Sequence, residues 1–232
     1  MSPYRAGFAC FVGRPNAGKS TLTNALVGAK VVITSDKPQT TRAVVRGIVN
    51  RDDAQLVLVD TPGLHRPRTL LGERLNDLVR TTWSEVDIVA VCFPADEKVG
   101  PGDRFIVNEM AKVRRTRKVA VATKTDLATG EQIGKHLLDI AALGQATGIE
   151  WAEIVPVSAR SGDQVKLLED LLVGLLPDGP QLYPDGDLSD APEEAIVAEL
   201  IREAALEGGR DELPTKAQWE RDQHYALCWA PS

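Results

Sequence analysis

The sequence predicts an α/β protein: a six-stranded, mixed but mostly parallel sheet flanked by helices, followed by a short C-terminal helical remnant. Three observations predict it. Six short apolar runs rich in Val, Ile and Phe recur through residues 1–177, stretches with helical spacing separate them, and one pair of runs is joined by a turn too short for a crossover.

The first run, Phe8–Val12, leads into a helical stretch at Lys19–Val27. Val44–Val49 and Gln55–Asp60 are separated only by Asn50, Arg51, Asp52 and Asp53, a connection that fits an antiparallel hairpin and makes the sheet mixed. Leu70–Trp83 then has helical spacing, Asp87–Phe93 reads as a strand buried on both faces, and Asp103–Val113 as the next helix. Lys118–Thr123, Glu131–Ala146, Glu153–Ser158 and Gln164–Leu176 repeat the alternation. In the last of these, Leu167, Leu168, Leu171, Leu172 and Leu175 recur at the interval of a core-facing helix. After Leu176 the character changes. Pro177–Asp187 is rich in Pro, Gly and Asp and reads as a linker. Asp190 with Glu193 three positions on suggests a capping box for a helix whose apolar face is Val197, Leu200, Ile201 and Ala204 and which ends at Gly208-Gly209. The expected organisation is a nucleotide-binding domain over 1–177, a linker over 178–190 and an incomplete C-terminal unit over 191–232. A helix and a short remnant cannot enclose a core, so this tail must dock or stay mobile.

Composition narrows the classes. Hydrophobic residues at 43% and charged residues at 26% exclude global disorder and fibrous repeats. No run approaches the ~18 apolar residues of a membrane span, and the first residues lack the layout of a signal peptide. Three cysteines are too few and scattered for a disulfide framework or a zinc cluster, so the chain is expected to be cytoplasmic. Charge divides unevenly: residues 1–177 carry 23 Lys+Arg against 20 Asp+Glu, whereas residues 178–232 carry 4 against 13. The tail has the wrong sign for gripping phosphate backbones.

The sharpest motif is Gly13-Arg14-Pro15-Asn16-Ala17-Gly18-Lys19-Ser20, an intact GxxxxGK[ST] signature between a strand and a helix. Gly13 and Gly18 let the backbone wrap closely, successive N–H groups and the helix dipole face phosphates, Lys19 neutralises β/γ charge, and Ser20 suits Mg²⁺. Asp60-Thr61-Pro62-Gly63 closes the third strand, where a carboxylate can hold the magnesium hydration shell and the Gly63 N–H can meet a γ-phosphate. Alone it reads as a strand terminus. Thr123-Lys124-Thr125-Asp126 ends the fifth strand. Asp126 can accept from guanine's ring N–H and exocyclic amine, which adenine cannot supply, and Lys124 can lay its stem over the base. A plain turn with Asp126 capping the next helix is the alternative. Ser158-Ala159-Arg160 follows the sixth strand, where the Ala159 N–H could reach the guanine carbonyl.

These four elements occur in the order and spacing of the translation-factor class of P-loop GTPases. Thr34 to Arg42 (TSDKPQTTR), with GRPNAGKST and DTPGLH, resembles the Era family of ribosome-assembly GTPases over about residues 5–206. The resemblance implies the P-loop GTPase fold and GTP hydrolysis with Mg²⁺, coupled to the small ribosomal subunit and its RNA. It also implies a monomer in the cytoplasm, compatible with peripheral contact at the inner face of the plasma membrane. By resemblance, nucleotide contacts fall on Gly13, Arg14, Pro15, Asn16, Ala17, Gly18, Lys19, Ser20, Thr21, Thr40, Asp60, Gly63, Thr123, Lys124, Asp126, Ser158 and Ala159. Metal contacts fall on Ser20, Asp60 and Thr41, with Thr40 the alternate to Thr41. The chemistry falls on Lys19, Thr41, Gly63 and Asn16.

Three departures qualify it. Leu64 follows Gly63, where many GTPases carry the Gln that orients the attacking water, so unaided hydrolysis should be slow. Relatives with this apolar replacement use K⁺ near an Asn in the phosphate loop, here Asn16. Thr123 stands where the family has Asn, which implies loss of an amide that braces the phosphate loop. Era proteins continue into a KH-type domain with a GxxG loop. Pro192–Glu207 resembles its opening helix, but the likeness stops near Gly208 and no GxxG follows, so a truncated or altered RNA-binding half with weak RNA binding is expected.

Other polar residues read as ordinary. Cys10 and Cys92 are expected in the core, His136 on a helix surface, and Lys112, Arg114, Arg115, Arg117 and Lys118 at a solvated helix end, with an RNA- or lipid-facing patch the alternative. His65 adjoins the catalytic turn and Cys228 lies in the tail. Two competing functions remain beside a GTPase: a P-loop ATPase or kinase of another branch, and a nucleotide-binding module with little turnover.

Overall fold

The computed structural model describes residues 3–34, 45–60, 81–113 and 115–208. Within these, β1 (Arg5–Val12) runs into α1 (Lys19–Val27), and β2 (Val45–Asn50) forms a hairpin with β3 (Ala54–Asp60). β4 (Ile88–Pro94), α2 (Pro101–Met110), β5 (Arg117–Thr123), α3 (Gly130–Thr147), β6 (Glu153–Pro156) and α4 (Val165–Leu175) follow in strict alternation, and α5 (Glu193–Gly208) closes the described chain. Residues 81–85 are also helical. The strand order is β2-β3-β1-β4-β5-β6. Among the described strand pairs β2–β3 alone is antiparallel, as the short turn between them requires.

Successive side chains of a strand point to opposite faces, and the core splits accordingly. Phe11, Leu56, Leu58, Ala90 and Val121 pack on one side with Leu22 and Leu26 of α1 and Leu168 and Leu172 of α4. Cys10, Val12, Val89, Val91 and Ala120 pack on the other with Trp83, Ile106 and Met110 of α2, and Ile140 and Leu143 of α3. Because β3 and β4 are buried along their whole length, they are apolar on both faces and lack the alternation of a half-exposed strand.

Among the described residues the expected elements are present with four corrections; the helix expected over Leu70–Trp83 lies outside them up to residue 80. Leu167 is 52% exposed: it falls outside the inward stripe that Leu168 and Leu172 occupy. His136 is buried, 3.4 Å from the Phe93 carbonyl through Nε2, because it shares the inner stripe of α3 with Ile140 and Leu143. Asp190 does not cap a helix. Its carboxylate pairs with Arg46 at 2.6 Å, and α5 begins at Glu193 after Pro192, whose carbonyl accepts from Ala195 and Ile196. The apolar face expected of that helix is not covered either, with Val197 and Ile201 exposed.

The linker docks on the sheet. Leu188 accepts from the N–H of Ile48, Ser189 donates to the Arg46 carbonyl, and Asn50 donates to the Asp187 carbonyl. Gln55, fully buried in β3, accepts from the N–H groups of Leu182 and Tyr183 and donates to the Tyr183 carbonyl and to Asn50. Cys10 and Cys92 are core residues as expected, and burial pushes both thiols up, Cys92 to about 12. The basic run is a helix-end and strand-start feature: Lys112 pairs with Glu109, and Arg117 donates to the Leu175 carbonyl at the end of α4. Thr40, Thr41, Gly63, Leu64, His65, Arg114 and Cys228 lie outside the described residues. No helix among the described residues is long and apolar enough to cross a membrane.

Candidate nucleotide site

All the described motif residues sit at the C-terminal ends of the parallel strands, where an open α/β sheet leaves its crevice. Residues 13–18 connect β1 to α1. The turn closes with Ala17 donating to the Arg14 carbonyl at 3.2 Å, and Asn16 and Gly18 adopt left-handed φ of 62° and 85°. Gly18 opens α1 with no side-chain cap, and the first turn carries no acidic residue, so the helix end suits an anion. A Cβ at Gly13 would lie 2.9 Å from the Cys92 carbonyl and 3.1 Å from Ala17, which excludes any larger side chain there.

Lys19 is 7% exposed and donates from Nζ to the carbonyls of Arg14 at 3.0 Å and Gly13 at 3.4 Å. Burial holds its pKa below the ordinary lysine value, although the Asp60 carboxylate opposes this. Ser20 donates to Asp60 Oδ2 at 2.9 Å, joining the phosphate loop to the end of β3. This hydroxyl–carboxylate pair is an oxygen donor set suited to Mg²⁺, which is held by one or two protein oxygens together with substrate phosphates. Among the described residues no group of three His, Cys, Asp or Glu side chains forms a metal cluster.

The Arg14 guanidinium is engaged by Asp103 from Nε and by Glu97 from Nη1, both at 2.8 Å, which leaves its backbone to face a phosphate. Burial opposes its charge, but the hydrogen bonds from these carboxylates outweigh that and raise its pKa. Neither acid had a local signal, since they lie 89 and 83 positions downstream.

The base-side motif is also assembled. Asp126 lies in a 3₁₀ turn, Thr125–Leu127, and accepts from Ser158 Oγ at 2.6 Å. The cap of α3 is Thr129, in a capping box with Gln132, so Asp126 is not spent on that helix. Ser158 is 1% exposed, and its hydroxyl serves the Asp126 carboxylate, a role that the motif Ser158-Ala159-Arg160 does not signal by itself. Lys124 holds φ 58° and pairs with Asp96 at 3.7 Å. Thr123 corrects a further expectation. Its hydroxyl donates to the Ala17 carbonyl at 2.8 Å, so the brace between base motif and phosphate loop is kept without the amide.

The fold and this arrangement of phosphate loop, strand-end carboxylate and base-side acid define a P-loop GTPase. The family described as 50S ribosome-binding GTPase matches residues 8–124. GTPase Era of a Nocardioides strain is 83% identical over 211 residues, 91% of this chain and 67% of that protein, and GTPase Era of Streptomyces coelicolor is 70% identical over the same shares. A crystal structure of Era in complex with MgGDPNP and nucleotides 1506–1542 of 16S ribosomal RNA superposes with a TM-score of 0.83 at 32% identity, covering 91% of this chain and 70% of that one. The chain belongs to the Era family of GTPases.

Proposed function

We propose that this chain is a GTP-hydrolysing switch that acts in the cytoplasm in assembly of the small ribosomal subunit and contacts its RNA. The Ser20–Asp60 contact carries the nucleotide reading, because it unites the two oxygen donors an Mg²⁺-bound triphosphate needs beside a buried lysine. The RNA partner rests on the Era complex with 16S ribosomal RNA. That solved complex holds 16S ribosomal RNA, which favours the small subunit over the 50S particle for which the matched family is named.

In this reading Gly13 to Thr21 cradle the phosphates, Lys19 neutralises β/γ charge, and Asp126, oriented by Ser158, selects guanine over adenine. Bound Mg²⁺ supplies charge neutralisation on the transferred group. Thr41 or Thr40 and Gly63 complete the γ-phosphate contacts, and Asn16 lies where K⁺ would compensate for Leu64. Domain boundaries at 1–177, 178–190 and 191–232 fit the docked linker, and exposed Val197 and Ile201 on α5 suit a helix that opens a larger unit. Peripheral membrane contact would fall on the basic run over 112–118, where Lys112 is 70% exposed.

Calorimetry with GDP, GTP and ATP in Mg²⁺ tests the nucleotide reading: guanine nucleotides should bind and ATP should not. Single-turnover hydrolysis separates a switch from a binding module without useful turnover. A gel shift with 16S 3′ RNA tests the partner. The net charge of residues 178–232 predicts weak binding by this chain.

A further inference from the structure

One acidic turn touches both halves of the nucleotide site. Between β4 and α2, Asp96 pairs with Lys124 of the base motif and Glu97 pairs with Arg14 of the phosphate loop. At the start of α2, Asp103 takes Arg14 Nε on Oδ1 and the Gly100 N–H on Oδ2, and its side chain is 2% exposed. Gly102 makes the room: a Cβ there would fall 2.6 Å from Arg14 Cδ. The same turn is tied to the base motif through its backbone, with Ala95 donating to the Thr123 carbonyl at 2.8 Å.

Arg14 matters through its own carbonyl. That oxygen accepts from Ala17, closing the loop, and from Nζ of Lys19. Fixing the Arg14 side chain therefore fixes the turn that presents Lys19 and the amides of residues 16–18 to a phosphate. A guanidinium held in a two-carboxylate fork has one geometry, whereas a solvated one has many. We infer that Asp103 and Glu97 are positioning residues for nucleotide binding: with Asp96 they form an acidic bracket that holds the phosphate loop and the base motif in mutual register through Arg14 and Lys124. This rests on the nucleotide reading above and adds to it the groups that preorganise the site.

Asp103→Asn keeps an acceptor for Gly100 but loses the paired charge, and Glu97→Gln alters a half-exposed side chain that threatens no core. The readout is release of GDP carrying a fluorescent anthraniloyl group, chased with unlabelled GDP, on the whole chain. Asp103→Asn, Glu97→Gln and Arg14→Gln should each speed release, by about ten-fold for Asp103→Asn, within the usual span of site coupling. The double variant Arg14→Gln with Asp103→Asn should be no faster than the worse single one. In hydrolysis, the Asp103 and Glu97 variants should raise KM for GTP with less than about two-fold change in kcat, a split that general destabilisation would not give. Unchanged or slower release from the folded variants, or additive effects in the double variant, overturns the bracket. If Asp103→Asn does not fold, the cycle of Glu97→Gln with Arg14→Gln decides by the same criterion. A wild-type chain that took up no GDP would instead overturn the nucleotide reading itself, and the bracket with it.

Discussion

The hydroxyl of Thr123 donates to the carbonyl of Ala17 across 2.8 Å, joining the end of β5 to the phosphate loop 106 positions earlier. The contact is buried, and a Cβ at Gly18 would lie 3.7 Å from the same threonine. Thr123→Val keeps the shape and removes the donor, leaving a buried carbonyl unpaired. Such a loss costs about 1–2 kcal/mol of folding stability, or roughly 2–8 °C in Tm for a domain of this size by thermal melts, and Thr123→Asn should retain it.

Guanine choice should reside in Asp126. Asp126→Ala is expected to cut the preference for GTP over ATP by about two orders of magnitude or more, since an acceptor built for two donors is what rejects the other base. Ser158→Ala frees the carboxylate it orients at 2.6 Å and should weaken GDP binding several-fold while keeping the preference. Competition titrations against labelled GDP read both.

Lys19 gives the site a pH dependence of definite sign. Burial lowers its pKa in the free protein, and phosphate charge restores the ammonium, so binding takes up a proton once the pH passes the lowered value. Affinity should therefore fall as pH rises through that value, below the ordinary 10.5. For folding, the unfolded chain holds more protons in the same window, so the free protein gains stability there as pH rises. Above the lowered value, and not below it, calorimetry in buffers of different ionisation heat should show proton uptake on GDP binding.

Potassium should accelerate hydrolysis relative to sodium at equal ionic strength, and Asn16→Ala should remove the difference. Equal rates in the two salts would count against a role for Asn16.

Gln55 secures the linker. Gln55→Leu strands the N–H groups of Leu182 and Tyr183, a loss of about 2 kcal/mol, or roughly 4–8 °C in Tm for a domain of this size. Limited proteolysis should then cut within 178–190 faster than in the wild type.

Features set by neighbouring residues are legible in the sequence, and those set by distant partners are not. The α1 bounds, the β2–β3 hairpin and the phosphate loop follow from periodicity, turn length and motif, each settled within a few residues of chain. Asp190 looked like a cap because its neighbours in sequence allowed it, yet Arg46, 144 positions away, claims its carboxylate. His136 looked polar and exposed, although its spacing to Ile140 and Leu143 placed it on the inner stripe. Glu97 and Asp103 carry no motif, because an acid that serves an arginine on another element needs no pattern of its own.

The docked linker also bears on how copies of this chain behave at high concentration. β2 is the outermost strand, and a bare outermost strand offers a row of donors and acceptors to any passing chain. The Leu188 and Ser189 contacts occupy part of that row from within the same molecule. Protection against runaway strand-to-strand association is thus supplied by the very segment that carries the polypeptide onward to α5.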